Sequence, residues 1–226
     1  MKAVVDRAMT FLGLKPEPAD HFLSKVKGVI HVGANSGQER DTYAAHGLDV
    51  LWIEPIPEVF TRLERFIAKQ PKQRALRELI TDRDGASYDF HVANNNGASS
   101  SILDFAEHKD IWPEVTYERT IKLTSVTLDT LLAREGIDAS GYQGLVMDTQ
   151  GSELMVLKGA TRTLKSMRFI KTEAADFEAY AGCARVDDLT SFLATHGFSL
   201  THKEPFAERE AGGRYFELVF KRVRAG

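Results

Sequence analysis

The chain is short of several things, and each shortage removes a class of protein. Cys183 is the only cysteine among 226 residues. No intramolecular disulfide or multi-cysteine metal site can form, which fits a reducing compartment and a cytoplasmic protein. No run of five or six like charges occurs; Lys and Arg number 29 against 32 Asp and Glu, a net charge of −3. A nucleic-acid partner is not expected from that balance, and the basic end FKRVRAG reads as a solvated terminus. Apolar runs such as GLVMD fall far short of the roughly 20 residues of a membrane span. The N-terminal MKAVVDRAMTFLGLK is not expected to act as a signal peptide, because Asp6 and Arg7 interrupt its apolar stretch.

That first segment instead reads as an amphipathic helix carrying Val4, Val5, Ala8, Met9 and Leu12. It is expected to pack on the domain or, in a homo-oligomer, on a sister subunit. KPEPAD, with two prolines in six residues, then reads as a linker. The expected organisation is a helix and linker over residues 1–18 and one α/β domain over 19–226.

From Val29 the pattern alternates. GVIHV reads as a buried strand and SGQERDTYAAHG as a helix, with Ser36 and Glu39 at capping-box spacing and Gly47 as its left-handed end. DVLWIEP is a second strand, and PEVFTRLERFIAK a helix with Phe60, Leu63 and Ile67 on one face. ALRELITD reads as a third strand, though its leucine spacing also suits a helix, and RDGASYDFHVA as a turn and strand. The pattern lapses over NNNGASSSILDFAEHKDIWP, Asn94 to Pro113, a loop with one helical turn. So long an irregular piece inside a compact domain is usually functional. TIKLTSVTL, GLVMDTQG and MRFIKTEA are strands, separated by the helical LDTLLAREG and by SELMVLKGATRTLKS, a helix or helix pair. VDDLTSFLATHGF is a helix with Val186, Leu189, Phe192 and Leu193 inward, and SLTHKE and GRYFELVFKR close the chain as a hairpin. Alternation of this kind implies a largely parallel sheet.

In such a sheet, ligands sit beyond the carboxyl ends of the strands. The first strand ends in HVGANSG, where Gly33 and Gly37 allow sharp turns. A dinucleotide fingerprint laid from Gly33 requires glycine at Asn35 and a small residue at Gln38; both fail. Those glycines serve a pyrophosphate. S-adenosylmethionine has no phosphate and tolerates a looser loop of small residues after an acid, a pattern met here with His31 in place of the acid and Asn35 in place of a glycine. Glu54 ends the second strand 21 residues after Gly33. A carboxylate there accepts hydrogen bonds from both ribose hydroxyls and excludes a 2′-phosphate. Pro55 keeps it extended. The bland alternative is an ordinary βαβ unit with a surface glutamate.

HVGANSGQE, WIEPIPEVFTRL, ASSSIL, TLDTLL, VMDTQGSELMVLKGA and IKTEAADFEAY occur in the order found in the FkbM family of S-adenosylmethionine-dependent methyltransferases. The resemblance runs from about Val29 to Phe198, and MDTQGSELMVLKGA, similar to that family's D-x-x-G-x-E-x-x-V-L-K-G-A signature, is its most specific piece. It implies a Rossmann-like seven-stranded methyltransferase sheet, mostly parallel with a C-terminal antiparallel hairpin. It also implies O-methylation of a hydroxyl on a sugar, glycan or polyketide-type small molecule. Carried over by position, Gly33, Ala34, Asn35 and Gly37 line the cofactor loop, Glu54 holds the ribose, Thr81 and Asp82 sit near the adenine, and Asp148 faces the methyl group. His31 departs from the commoner DVGAN, which puts its contact with the methionine amino group in doubt; a neutral imidazole still accepts one hydrogen bond.

Methyl transfer from a sulfonium needs in-line alignment, worth roughly 7–11 kcal/mol at best. An alcohol nucleophile also benefits from a base, by about 10²–10⁴-fold. Asp148 is the first candidate, Glu173 the second and Glu153 the third. Asp148 has two competing roles, a helix N-cap or a cofactor contact, and Glu173 one, a strand-end carboxylate paired with Lys171 or an arginine. Asp148, Glu173, His108 and His202 have metal-ligand chemistry but no tight ligand spacing, so no metal is expected. His46 and His196 precede glycines at helix ends, where a cation suits the dipole. In the 94–113 loop, Trp112 and Phe105 are placed to stack on an acceptor ring or simply to pack down. Two readings of other classes stay open. One is an NAD-dependent oxidoreductase, which the failed fingerprint opposes. The other is a catalytically silent binding protein on a methyltransferase fold, which His31 favours and Glu54 and Asp148 oppose.

Overall fold

A computed structural model describes residues 19–223. The amphipathic helix expected before residue 18 lies outside the described residues. After a 3-10 turn at Ala19–Lys25, strand β1 (Gly28–Val32) is buried at every position. Helix α1 (Arg40–Ala45) leads to β2 (Asp49–Ile53), and α2 (Pro57–Ile67) to β3 (Gln73–Leu76). Three strands follow, β4 (Leu79–Ile80), β5 (Ser87–Ala93) and β6 (Tyr117–Val126). Then come α3 (Leu128–Arg134), β7 (Gly144–Met147), α4 (Glu153–Lys158), β8 (Phe169–Ala175), α5 (Val186–Thr195), β9 (Phe198–Glu208) and β10 (Arg214–Arg222).

Seven strands make the main sheet in the order β3-β2-β1-β7-β8-β10-β9. The first five are mutually parallel, and β10 runs antiparallel to both β8 and β9. This is the seven-stranded architecture expected, with the closing hairpin supplying the reversed strand. Strand alternation divides the core. Ile30, Val32, Leu51 and Ile53 face α3, α4 and α5. Val29, Val50 and Trp52 face the other way, with Tyr43 of α1 and Leu63 of α2. Each such fully buried aliphatic side chain contributes about 1.5–3 kcal/mol. Among the described residues, no helix is long and apolar enough to cross a membrane.

Three local expectations are corrected. ALRELITD is not one strand: only its first two residues belong to β3, while Leu79 and Ile80 leave the main sheet and pair with Ser125 and Val126 in a second sheet, ordered β4-β6-β5. The apolar face of that sheet, Leu79, Phe90 and Val92, packs on Ile56 and Val59, which explains the departure. The Ser36–Glu39 capping box does not form. Asn35 and Gly37 both have positive φ (44° and 72°), and the Asn35 side chain instead takes the Ser36 amide at 2.7 Å, so turns delay the helix to Arg40. Val59, rather than Phe60, is the buried residue of the first turn of α2. SELMVLKGATRTLKS resolves into α4 and a 3-10 turn at Thr163–Ser166. Gly47 does end α1 in the left-handed region, at φ 66°.

Candidate functional site

Two adjoining hollows lie over the carboxyl ends of the parallel strands. The first, a crevice over β1 and β2, is lined by Gly33, Asn35 and Glu54, by the apolar Ile56, Leu79, Ile80 and Phe90, and by Asp148. Gly33 is needed for a sharper reason than the turn alone. Its φ is 79°, and a Cβ there would run into the Asp148 carbonyl. The β1 and β7 ends therefore touch backbone to backbone. Glu54 is 4% exposed. Its Oε2 accepts from the Asn35 amide at 2.8 Å and its Oε1 from the Ile56 amide at 2.9 Å. Burial pushes its pKa up to about 7, against the pull of those two amides. Each carboxylate oxygen retains acceptor capacity, which suits a ligand with two hydroxyls.

Not all the loop residues expected at the cofactor face this crevice. Gly33, Asn35 and Glu54 do. Ala34 is buried in the core beside α1, and Gly37 packs toward Leu63. His31 is 4% exposed beneath the loop, stacked on Trp52 with ring centroids 5.0 Å apart, its Nδ1 3.2 Å from the Tyr43 hydroxyl. Strand alternation explains it: Val32 lines the crevice, so His31 must point to the opposite layer. Burial lowers its pKa to about 3, so it is neutral. Thr81 is fully buried, its hydroxyl engaged with the backbone of Arg83, and neither it nor Asp82 lines the crevice. Leu79 and Ile80 hold that wall instead, a consequence of the strand break after β3.

The second hollow, over β7 and β8, is lined by Asp148, Gln150, Glu173, Trp112, Tyr180 and Tyr215, with His108 and Phe206 also at its wall. Asp148, Gln150 and Ala98 border both hollows. Asp148 does not cap α4. Ser152 holds the N-cap position, and the Gln150 side-chain amide donates to Asp148 Oδ1. Nor is Glu173 paired with Lys171, which binds Asp20 at 2.7 Å and Glu217 at 2.6 Å. Both pKa values are raised, chiefly by burial. The neighbouring charge of Glu153 adds to Asp148, and that of Asp148 adds to Glu173. Glu153 is committed to the turn before it, accepting from the amides of Thr149 and Gly151 and from the Thr149 hydroxyl. It builds the turn that presents Asp148 and Gln150.

The 94–113 segment is tied down. Ser101 bridges to His91 and donates its hydroxyl to the Gln150 carbonyl at 2.8 Å, and Phe105 bridges to Tyr180. Phe105 packs on Tyr117, ring centroids 4.0 Å apart, whereas Trp112 faces the hollow. His108 is 3% exposed and kept neutral by burial, with Nδ1 2.8 Å from the Tyr215 hydroxyl. His202 sits on β9, opposite Val219, and among the described residues no three His, Cys, Asp or Glu side chains gather as metal ligands. Gln150, Tyr180, Tyr215 and Phe206 escaped the sequence reading. Gln150 carried one signal, its place between Asp148 and Gly151 in the most specific motif.

The methyltransferase domain of a bacterial CtHen1 (C-terminal part) superposes with a TM-score of 0.50 at 10% identity, over 91% of this chain and 95% of that one. The magnesium protoporphyrin IX methyltransferase ChlM of Synechocystis PCC 6803 aligns at a TM-score of 0.49 and 12% identity, over 96% and 78%. At 10% identity the likeness to the CtHen1 domain speaks to the fold alone. A search of curated proteins finds no match. The family model described as "Methyltransferase FkbM domain" matches residues 31–200, and the chain belongs to that family of S-adenosylmethionine-dependent methyltransferases.

Proposed function

We propose that this protein transfers a methyl group to a hydroxyl of a sugar, glycan or polyketide-type small molecule. S-adenosylmethionine supplies a methyl group already activated on a sulfonium. The crevice residues fit that cofactor: Glu54 offers one free acceptor direction on each carboxylate oxygen for the ribose diol, and Leu79, Ile80 and Phe90 offer an apolar wall for the adenine. The single observation that carries the hydroxyl assignment is Asp148, which borders both hollows with its pKa raised by burial. A carboxylate poised nearer neutrality is a better base than an ordinary one. Glu173 on the neighbouring strand is the second base candidate and also keeps the site acidic. Trp112, Tyr180 and Tyr215 give the acceptor ring flat surfaces.

The test is incubation with isotopically labelled S-adenosylmethionine and a panel of sugar and polyketide alcohols beside their amine analogues. NMR of the product locates the label. Methyl on oxygen is expected; transfer to the amines alone would refute the proposal.

A further inference from the structure

Gln150 sits at a junction of three chain segments. Its side chain joins Asp148, at the end of β7, to Tyr180, in the loop after β8; its carbonyl is held by Ser101 from the 94–113 loop. In the ionised form that a base requires, Asp148 can only accept, which fixes which end of the amide is which. Only the NH₂ end can donate to Asp148 Oδ1, so the carbonyl end faces Tyr180, whose hydroxyl donates to it at 2.6 Å. Among the described residues Asp148 Oδ2 takes no hydrogen bond. The arrangement is held against a backbone cost: Gln150 has φ 51°, in the left-handed region that disfavours a non-glycine residue, and it is followed by Gly151 at φ 99°. A glycine at 150 would relieve that cost but carry no amide.

We infer that Gln150 is a positioning residue for the methyl transfer: its amide, itself locked by Tyr180, fixes one oxygen of Asp148 and leaves the other for the acceptor hydroxyl. This rests on Asp148 as the base. The tie also opposes the rest of its surroundings. The titratable groups that act on Asp148 or are acted on by it are Glu39 before α1, Glu54 just after β2, Glu153 on α4, Glu173 on β8, Tyr180 and, on β10, Tyr215. None is a cation, so the Gln150 donor is what favours the ionised, proton-accepting form.

Two variants test this, Gln150→Gly, which suits the positive φ, and Tyr180→Phe, which leaves the amide in place but unlocked. The Asp148 carboxyl is titrated by ¹³C NMR without cofactor, the pH–rate profile is recorded with it, and S-adenosylhomocysteine affinity is measured by calorimetry. In Gln150→Gly, Asp148 is expected to titrate at higher pH and the acid limb of the rate profile to follow it. Turnover should fall on the order of 10²-fold, as for a misplaced reacting group, with S-adenosylhomocysteine affinity unchanged. Tyr180→Phe should move both in the same direction by less. An unmoved Asp148 titration in both variants overturns the inference and leaves the base assignment standing. A moved titration with an unmoved rate profile upholds the hold on Asp148 and overturns Asp148 as the base.

Discussion

The two hollows share a border but are built differently. The crevice over β1 and β2 is made largely by backbone and by local sequence. Gly33 abuts the Asp148 carbonyl, and Glu54 is clamped by the amides of Asn35 and Ile56, close to it along the chain or just across the strand pair. The hollow over β7 and β8 is made by side chains from distant segments: Trp112, Asp148, Glu173, Tyr180, Phe206 and Tyr215. A backbone-built seat tolerates few changes and suits an invariant ligand. A side-chain wall changes by substitution without disturbing the sheet, and suits a ligand whose shape can vary.

Substitutions can break that comparison. The largest effect is expected from Asp148→Asn, which should lower turnover by about 10²–10⁴-fold with little change in S-adenosylhomocysteine affinity by calorimetry. A wild-type rate would remove it as the base. Glu54→Ala should do the reverse and weaken cofactor binding by roughly 2–3 kcal/mol, the value of charge-assisted hydrogen bonds. Unchanged affinity in a folded mutant would show that the carboxylate is not the ribose anchor.

The Glu54 assignment also sets a pH dependence. Without ligand its pKa is raised to about 7, and the anion is the stronger acceptor for a diol. Affinity should therefore be full above that pH and decline below it, by up to about tenfold per pH unit. A flat profile from about pH 5 to about pH 8 would disconnect Glu54 from the cofactor. The smallest effect should come from His31→Phe. If His31 is a core residue, cofactor affinity is unchanged and thermal melting reports about 1 kcal/mol lost with the Tyr43 hydrogen bond.

Local signals read correctly were those enforced by the chain itself. Short continuous apolar runs such as GVIHV mark the buried parallel strands, Gly47 and Gly197 mark helix ends, and Gly33 and Glu54 both line the crevice. Errors arose where a distant partner decided. The family resemblance puts Thr81 and Asp82 at the crevice, but Leu79 and Ile80 line it instead. Pairing of Leu79 and Ile80 with β6 moved that wall. Ser36 and Glu39 had capping spacing, but the left-handed Asn35 and Gly37 delayed the helix. His31 occupied a motif position, yet the alternation of β1 turned it into the core with Trp52.

By itself, then, the sequence determined a parallel α/β sheet, a turn and a carboxylate, Gly33 and Glu54, at the carboxyl ends of its first two strands, and membership of a methyltransferase family through ordered motifs. Only the tertiary structure decided that Asp148 is tied to Gln150 rather than to a helix end, that Lys171 leaves Glu173 unpaired, and that Tyr180, Tyr215 and Phe206 share a wall. Backbone turns and strand periods are properties of neighbours in sequence, whereas hydrogen-bond partners, burial and the pKa shifts they cause belong to neighbours in space.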